Sequence, residues 1–273
     1  MRRREFIWIL FSSLILSKAR AEDVNSELIA ENFLESTRES AQNLGSVLLE
    51  YRFSSSHTFL GFDLHGYGRI ELSKDKKGYT YTAQVRKLGG PVAYLGKLGL
   101  VNLPRIDTIL EGTLVFANER FEPVVFKKRD LATDEPEKIM HFTNDEVWVE
   151  GTDHRLSRTN EYCPISMFLN YIFFHSCDTV ENGAIMNFSK GLTATRTEVS
   201  TSRQETHFND NTYTHIMHLS GPLLDMIEGD VEFSLLEKQA RRLPTRGHAA
   251  RLLSQNKAHE VYIRLEKADI TYS

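Results

Sequence analysis

From Ser46 onward the apolar residues of this chain recur at every second position, and that period constrains the fold more than any other feature. Val47, Leu49, Tyr51 and Phe53 alternate with Leu48, Glu50 and Arg52. Successive side chains of an extended strand point to opposite faces, so the pattern builds a sheet with one oily side and one wet side. Phe62, Leu64, Ile70 and Leu72 continue in short extended runs, and a turn over 74–78 ends in Gly78. The return run over 79–85 (YTYTAQV) is rich in aromatic and β-branched residues, which makes the pair a hairpin. Residues 113–116 turn at Asn118-Glu119-Arg120 into 123–126, and 138–142 and 146–149 flank Asn144-Asp145. Beyond residue 183 come 185–188, 193–199, 212–219, 231–236, 249–253 and 261–265. Roughly a dozen strands about eight to twelve residues apart predict a mainly β fold, a large curved antiparallel sheet or open β-barrel. Helices do not alternate with these strands, which argues against a parallel nucleotide-binding sheet.

The first residues carry a different signal. Arg2, Arg3 and Arg4 precede an apolar run over 6–16 (FIWILFSSLIL), and Ala19-Arg20-Ala21 supplies small residues where a signal peptidase reads. This is the three-part layout of a cleavable secretory signal. The apolar run falls short of the roughly 20 residues a spanning helix needs. Arg3-Arg4-Glu5-Phe6-Ile7 resembles a twin-arginine core, so the general secretory and twin-arginine routes are both open. The expected division is a signal peptide over 1–21, an amphipathic helix over 22–45 and a single β-rich domain over 46–273, located in the periplasm. In the helix, Leu28, Ile29, Phe33 and Leu44 recur at helical intervals, with Gly45 as its C-terminal cap.

Residues 1–21 hold five of the 33 basic and one of the 37 acidic residues, which leaves 28 against 36 and a formal net charge of −8. Such a surface repels phosphate backbones, so nucleic acid is not an expected partner. Two apolar segments interrupt the strand pattern. One runs over 92–101 between Pro91 and Pro104; the other, over 164–174 (PISMFLNYIFF), opens with a proline suited to a first helical turn. The second is apolar nearly all round and reads as a buried helix between two halves of the sheet.

Catalytic signatures are weak. His215 and His218 lie three apart in a strand-like run, which places them on opposite faces and not around a shared ion. His175, Cys177 and Asp178 cluster after the buried helix, with Cys163 before it, but sequence proximity does not give a thiolate its base. Cys163 and Cys177 form a candidate disulfide in an oxidising compartment, provided the intervening helix ends early and the chain folds back. G-x-S-x-G, H-E-x-x-H and glycine-rich phosphate loops are absent. No catalytic residue, metal ligand or cofactor is assigned. Arg241, Arg242, Arg246 and Arg251 surround Pro244 and read as a solvated loop between strands, with an anion site as the alternative.

A curved sheet needs its concave side filled, by its own helices or by a ligand. Tyr94, Leu95, Leu98 and Leu100 from the first segment, and Phe168 and Tyr171 from the second, are the candidate lining of such a cavity. Full plugging predicts a packed structural domain; space left over predicts a lipid or other hydrophobic small molecule.

Four stretches resemble the exported bacterial proteins grouped as domain of unknown function 3108. They are residues 60–85, Leu110-Glu111-Gly112-Thr113 with Phe121-Glu122-Pro123, Cys163-Pro164-Ile165-Ser166, and 233–246 ending in Arg242-Leu243-Pro244-Thr245-Arg246. The likeness spans about residues 46 to 265. Cys163 departs from it, standing where that family often has an acidic helix cap. The resemblance implies a fold similar to periplasmic lipoprotein carriers of the LolA/LolB type, an open barrel with helices across its mouth, and it implies no catalytic residues. The expectation is an exported protein that binds a hydrophobic or lipid-like ligand in cell-envelope upkeep. The alternatives are a structural module that docks on another envelope protein, and a hydrolase whose carboxylates meet only in the fold.

Overall fold

A computed structural model of the chain describes residues 25–36, 43–59, 62–87, 107–131, 134–173, 180–187, 193–205, 212–220, 231–238, 241–254 and 257–273. Helix α1 covers residues 25–36. A first run of strands follows: β1 (Leu44–Phe59), β2 (Phe62–Asp75), β3 (Gly78–Lys87), β4 (Asp107–Ala117), β5 (Arg120–Asp130), β6 (Lys138–Phe142), β7 (Glu146–Val149) and β8 (Arg155–Ser157). Then come β9 (Glu161–Tyr162) and helix α2 (Pro164–Phe173). The second run is β10 (Val180–Asn187), β11 (Thr193–Glu205), β12 (Thr212–Ser220), β13 (Val231–Lys238), β14 (Arg241–Ser254) and β15 (Lys257–Tyr272). All these strands lie in one sheet, ordered from β8 down to β1, then β15 down to β9. The first and last strands therefore pair in the middle, Val47 opposite Ile270 and Phe53 opposite Ile263.

Local chemistry sets the hairpins. Asn118 and Glu119 have φ of 51° and 61°, the left-handed pair that a two-residue turn between Ala117 and Arg120 requires. Asp75 pairs with Gly78, so only Lys76 and Lys77 turn the chain between β2 and β3. The period of two sorts the residues as its alternation predicts. Val47, Leu49, Leu72, Tyr81 and Leu114 are buried in the core. On the other face, Arg69 meets Glu50 at 3.0 Å and Arg264 meets Glu266 at 2.8 Å. Apolar inside and ionic outside is the reverse of a transmembrane barrel.

Topology forces the sheet to roll up. A flat sheet of fifteen strands at about 4.8 Å spacing would hold its two edges about 67 Å apart. Yet the edge strands β8 and β9 are joined only by Arg158, Thr159 and Asn160. Four peptide steps span at most about 15 Å. The edges must meet, and they do so without a backbone ladder between them. The fold is a curved, unclosed barrel with the two described helices packed into its apolar side.

The structure corrects several sequence expectations. Helix α1 is described over residues 25–36, and it does not run to 45, because Leu44 and Gly45 pair with β15 as the start of β1. Leu44 and Gly45 belong to β1, so Gly45 is not a helix cap; a Cβ there would sit 3.1 Å from Thr271 Oγ1 of β15. Leu28 faces solvent, whereas Ala30, Phe33 and Leu34 are buried. The arginine-rich loop is strand β14, with Pro244 beside a register shift, where a missing amide is tolerated. Its Arg246 reaches Glu27 of α1 at 3.1 Å. The sheet is antiparallel throughout except between β9 and β10, which run parallel across the α2 crossover.

Candidate functional site

Helix α2 is fixed on the concave face by polar contacts as well as by packing. Cys163 precedes its first turn, and there the sulfur does the work of the usual capping oxygen: the Ser166 N–H donates to Sγ at 3.3 Å. The Cys163 carbonyl accepts from Ser166 Oγ at 3.0 Å and from the Met167 N–H at 2.9 Å. Tyr81 of β3 lies with its hydroxyl 3.7 Å from the same sulfur. Burial pushes the Cys163 thiol pKa up. Farther along, Leu169 and Ile172 are fully buried, and Phe173 packs between Phe33 and Phe121 with ring centroids at 6.4 and 6.2 Å.

Beside this docked face lies a different stretch of the same surface. Tyr51 sits with its ring edge-on to Phe168, centroids 6.2 Å apart. Its cross-strand partners are Gly68 of β2 and Leu265 of β15. Tyr79 donates its hydroxyl to the Leu44 carbonyl at 3.2 Å, and Tyr81 has Cys163. The Tyr51 hydroxyl is buried and has no hydrogen-bond partner among the described residues. Burial pushes its pKa far up, so it stays a neutral phenol.

The seam between the sheet edges holds a charged cluster. Glu161 of β9 is fully buried and accepts from the Thr159 and Asn160 amides at 2.5 and 3.0 Å. Arg196 of β11 donates Nε to the same carboxylate at 2.6 Å and Nη2 to the Ser157 carbonyl of β8 at 3.1 Å. Burial pushes the Glu161 carboxyl up, but these amide and guanidinium donors outweigh it and hold the group below the usual carboxylate range. Next to it, Arg158 pairs with Glu122 at 2.6 Å and lies over the Phe142 ring. With both edges tied to one guanidinium, this cluster does structural work.

Of the residues expected to line a cavity, Phe168 and Tyr171 lie on α2, half-buried and buried respectively. Tyr94, Leu95, Leu98 and Leu100 fall outside the described residues. Cys163 is a buried free thiol, and Cys177 lies outside the described residues. Among the described residues, no three His, Cys, Asp or Glu side chains are grouped to hold a metal ion. Sequence reading missed Tyr51 and Gly68 as a site, since both look like ordinary members of an alternating strand. It also missed Glu161 and Arg196, 35 residues apart, for which no local pattern exists.

Fold and site together define a β-barrel-like protein with an apolar concave face. No family model matches the chain, and no curated protein matches it. A solved structure does match, the crystal structure of a β-barrel-like protein of domain of unknown function DUF1849 from Brucella abortus. The match covers 84% of this chain and 99% of that one, at 10% identity and a TM-score of 0.44.

Proposed function

We propose that this is an exported, non-enzymatic binding protein whose rolled sheet carries a hydrophobic, lipid-like molecule in the service of the cell envelope. The observation that supports it is the chemistry of the concave face. Val47, Leu49, Tyr51 and Phe53 of β1 share that face, and the residues opposite them on β2 and β15 are all uncharged. Phe53 and Phe168 remain half-buried there, so aromatic surface stays accessible inside the curve. Apolar enclosures with few polar groups are the usual form of a site for such ligands. The n-region arginines and the apolar run over 6–16 support export.

A second reading, a packed structural module that docks on another envelope protein, draws on Leu169, Ile172 and Phe173, which fill the space under the far end of α2. One experiment separates the two. The protein is expressed with its N-terminal segment in a Gram-negative host, purified from the periplasmic fraction and extracted with chloroform–methanol for mass spectrometry. The binding reading expects a stoichiometric lipid-like compound and cleavage after Ala21. An empty extract, with no fluorescence gain from N-phenyl-naphthylamine, leaves the structural reading.

A further inference from the structure

Resting on that reading, we infer that Tyr51 anchors the ligand and that the ligand is electrically neutral: an apolar molecule bearing one uncharged hydrogen-bonding oxygen, as in an ester, ketone or alcohol. Three observations carry this. The first is the hydroxyl itself, on a side chain more than nine-tenths buried and aimed into the concave side with no partner among the described residues. A buried hydroxyl without a partner is costly, whereas its neighbours Tyr79 and Tyr81 are both satisfied. A ligand oxygen supplies what is missing.

The second is space. Gly68 faces Tyr51 directly across the strand pair. Among the described residues, a Cβ built there would have a single neighbour within 4 Å, the Phe53 ring at 3.8 Å. Gly66, two residues earlier, lies under the same ring, and a Cβ there would overlap it. Among the described residues the floor of the sheet is therefore open beside the phenol, bounded by Phe53 and Phe168. The third is charge. Val85 of β3 lies opposite Gly68, and Leu265 of β15 lies opposite Tyr51, so the row through the phenol is uncharged from β3 to β15; Lys87 of β3, opposite Gly66, is the first charged residue beyond it on this face. A carboxylate or phosphate held at the Tyr51 hydroxyl would be buried among these uncharged neighbours, at a cost no single phenol offsets.

The test compares three probes of one chain length at pH 8: methyl oleate, oleate and 1-octadecene, each tritiated, with binding read by equilibrium dialysis against the purified mature protein. The expected order is methyl oleate first, octadecene weaker, oleate weakest. Tyr51→Phe is expected to weaken methyl oleate about tenfold, the equivalent of one hydrogen bond, and leave octadecene unchanged. The same variant is expected to raise the melting temperature of the ligand-free protein, since it removes an unsatisfied group. Gly68→Val is expected to abolish uptake of both neutral probes. Should the native protein bind none of the three, the carrier reading itself is overturned. Should it bind oleate best, or bind methyl oleate equally well with Tyr51→Phe, the carrier survives and the neutral-anchor inference is overturned.

Discussion

The side-chain amide of Asn170 takes the place of a missing strand beside Phe121. Its oxygen accepts from the Phe121 N–H at 2.8 Å, and its nitrogen donates to the Phe121 carbonyl at 3.2 Å. The reason lies in the hairpin register. Ala117 and Arg120 close the two-residue turn as a hydrogen-bonded pair, so the next pair, Phe116 with Phe121, turns its backbone groups outward. Strand β6 joins β5 only from Val125 onward, which leaves Phe121 uncovered until α2 arrives.

Asn170→Ala strands two buried backbone groups and is expected to cost about 2–4 kcal/mol. Urea titration followed by circular dichroism will show a lower midpoint with an unchanged slope.

Glu161 ties acid stability to the seam. Its folded pKa lies below its unfolded value, so its contribution is present in full above about pH 5 and fades as pH falls through the folded value. Glu161→Gln is therefore expected to lower the urea midpoint at pH 7, by roughly 2 kcal/mol for the charged hydrogen bonds lost. At pH 3 the gap between variant and native protein will narrow.

Gly112 of β4 lies under the Tyr81 ring, and a Cβ there would collide with the Val125 carbonyl oxygen and the Tyr81 hydroxyl. Gly112→Ala is expected to destabilise by about 2–3 kcal/mol through forced displacement of a side chain that also touches Cys163. Differential scanning calorimetry of the variant beside the native protein measures it.

Cys163 is expected to resist iodoacetamide in the native protein, because a fully buried thiol with a raised pKa presents little thiolate. Peptide mapping after alkylation will show label at Cys163 only once denaturant passes the unfolding midpoint. Labelling at native conditions would contradict this packing of α2 on β3.

Much of the strand plan was legible because a period of two is a local property. Residues 79–85 became β3 and residues 164–173 became α2, since each run states its own geometry and its own buried side. Elsewhere a local reading went astray. The arginines around Pro244 looked like a loop because charge and proline are depleted from central strands, but a register shift admits the proline and Glu27 meets Arg246. Helical spacing carries the expected helix on to Leu44, because one apolar residue at that spacing cannot reveal that β15 is waiting to pair with it.

Alternation along the chain determined that this protein would be a sheet with an oily face and a charged one, and that one apolar helix would have to be buried on it. Which strand lies beside which was beyond its reach, for periodicity names the face of a residue and not its neighbour. Pairing of β1 with β15, the meeting of β8 and β9 at Arg196, and the rescue of Phe121 by Asn170 join residues distant in sequence. Tertiary structure alone could leave one tyrosine of that oily face without a partner, because hydrogen-bond satisfaction depends on what the folded chain brings within about 3 Å.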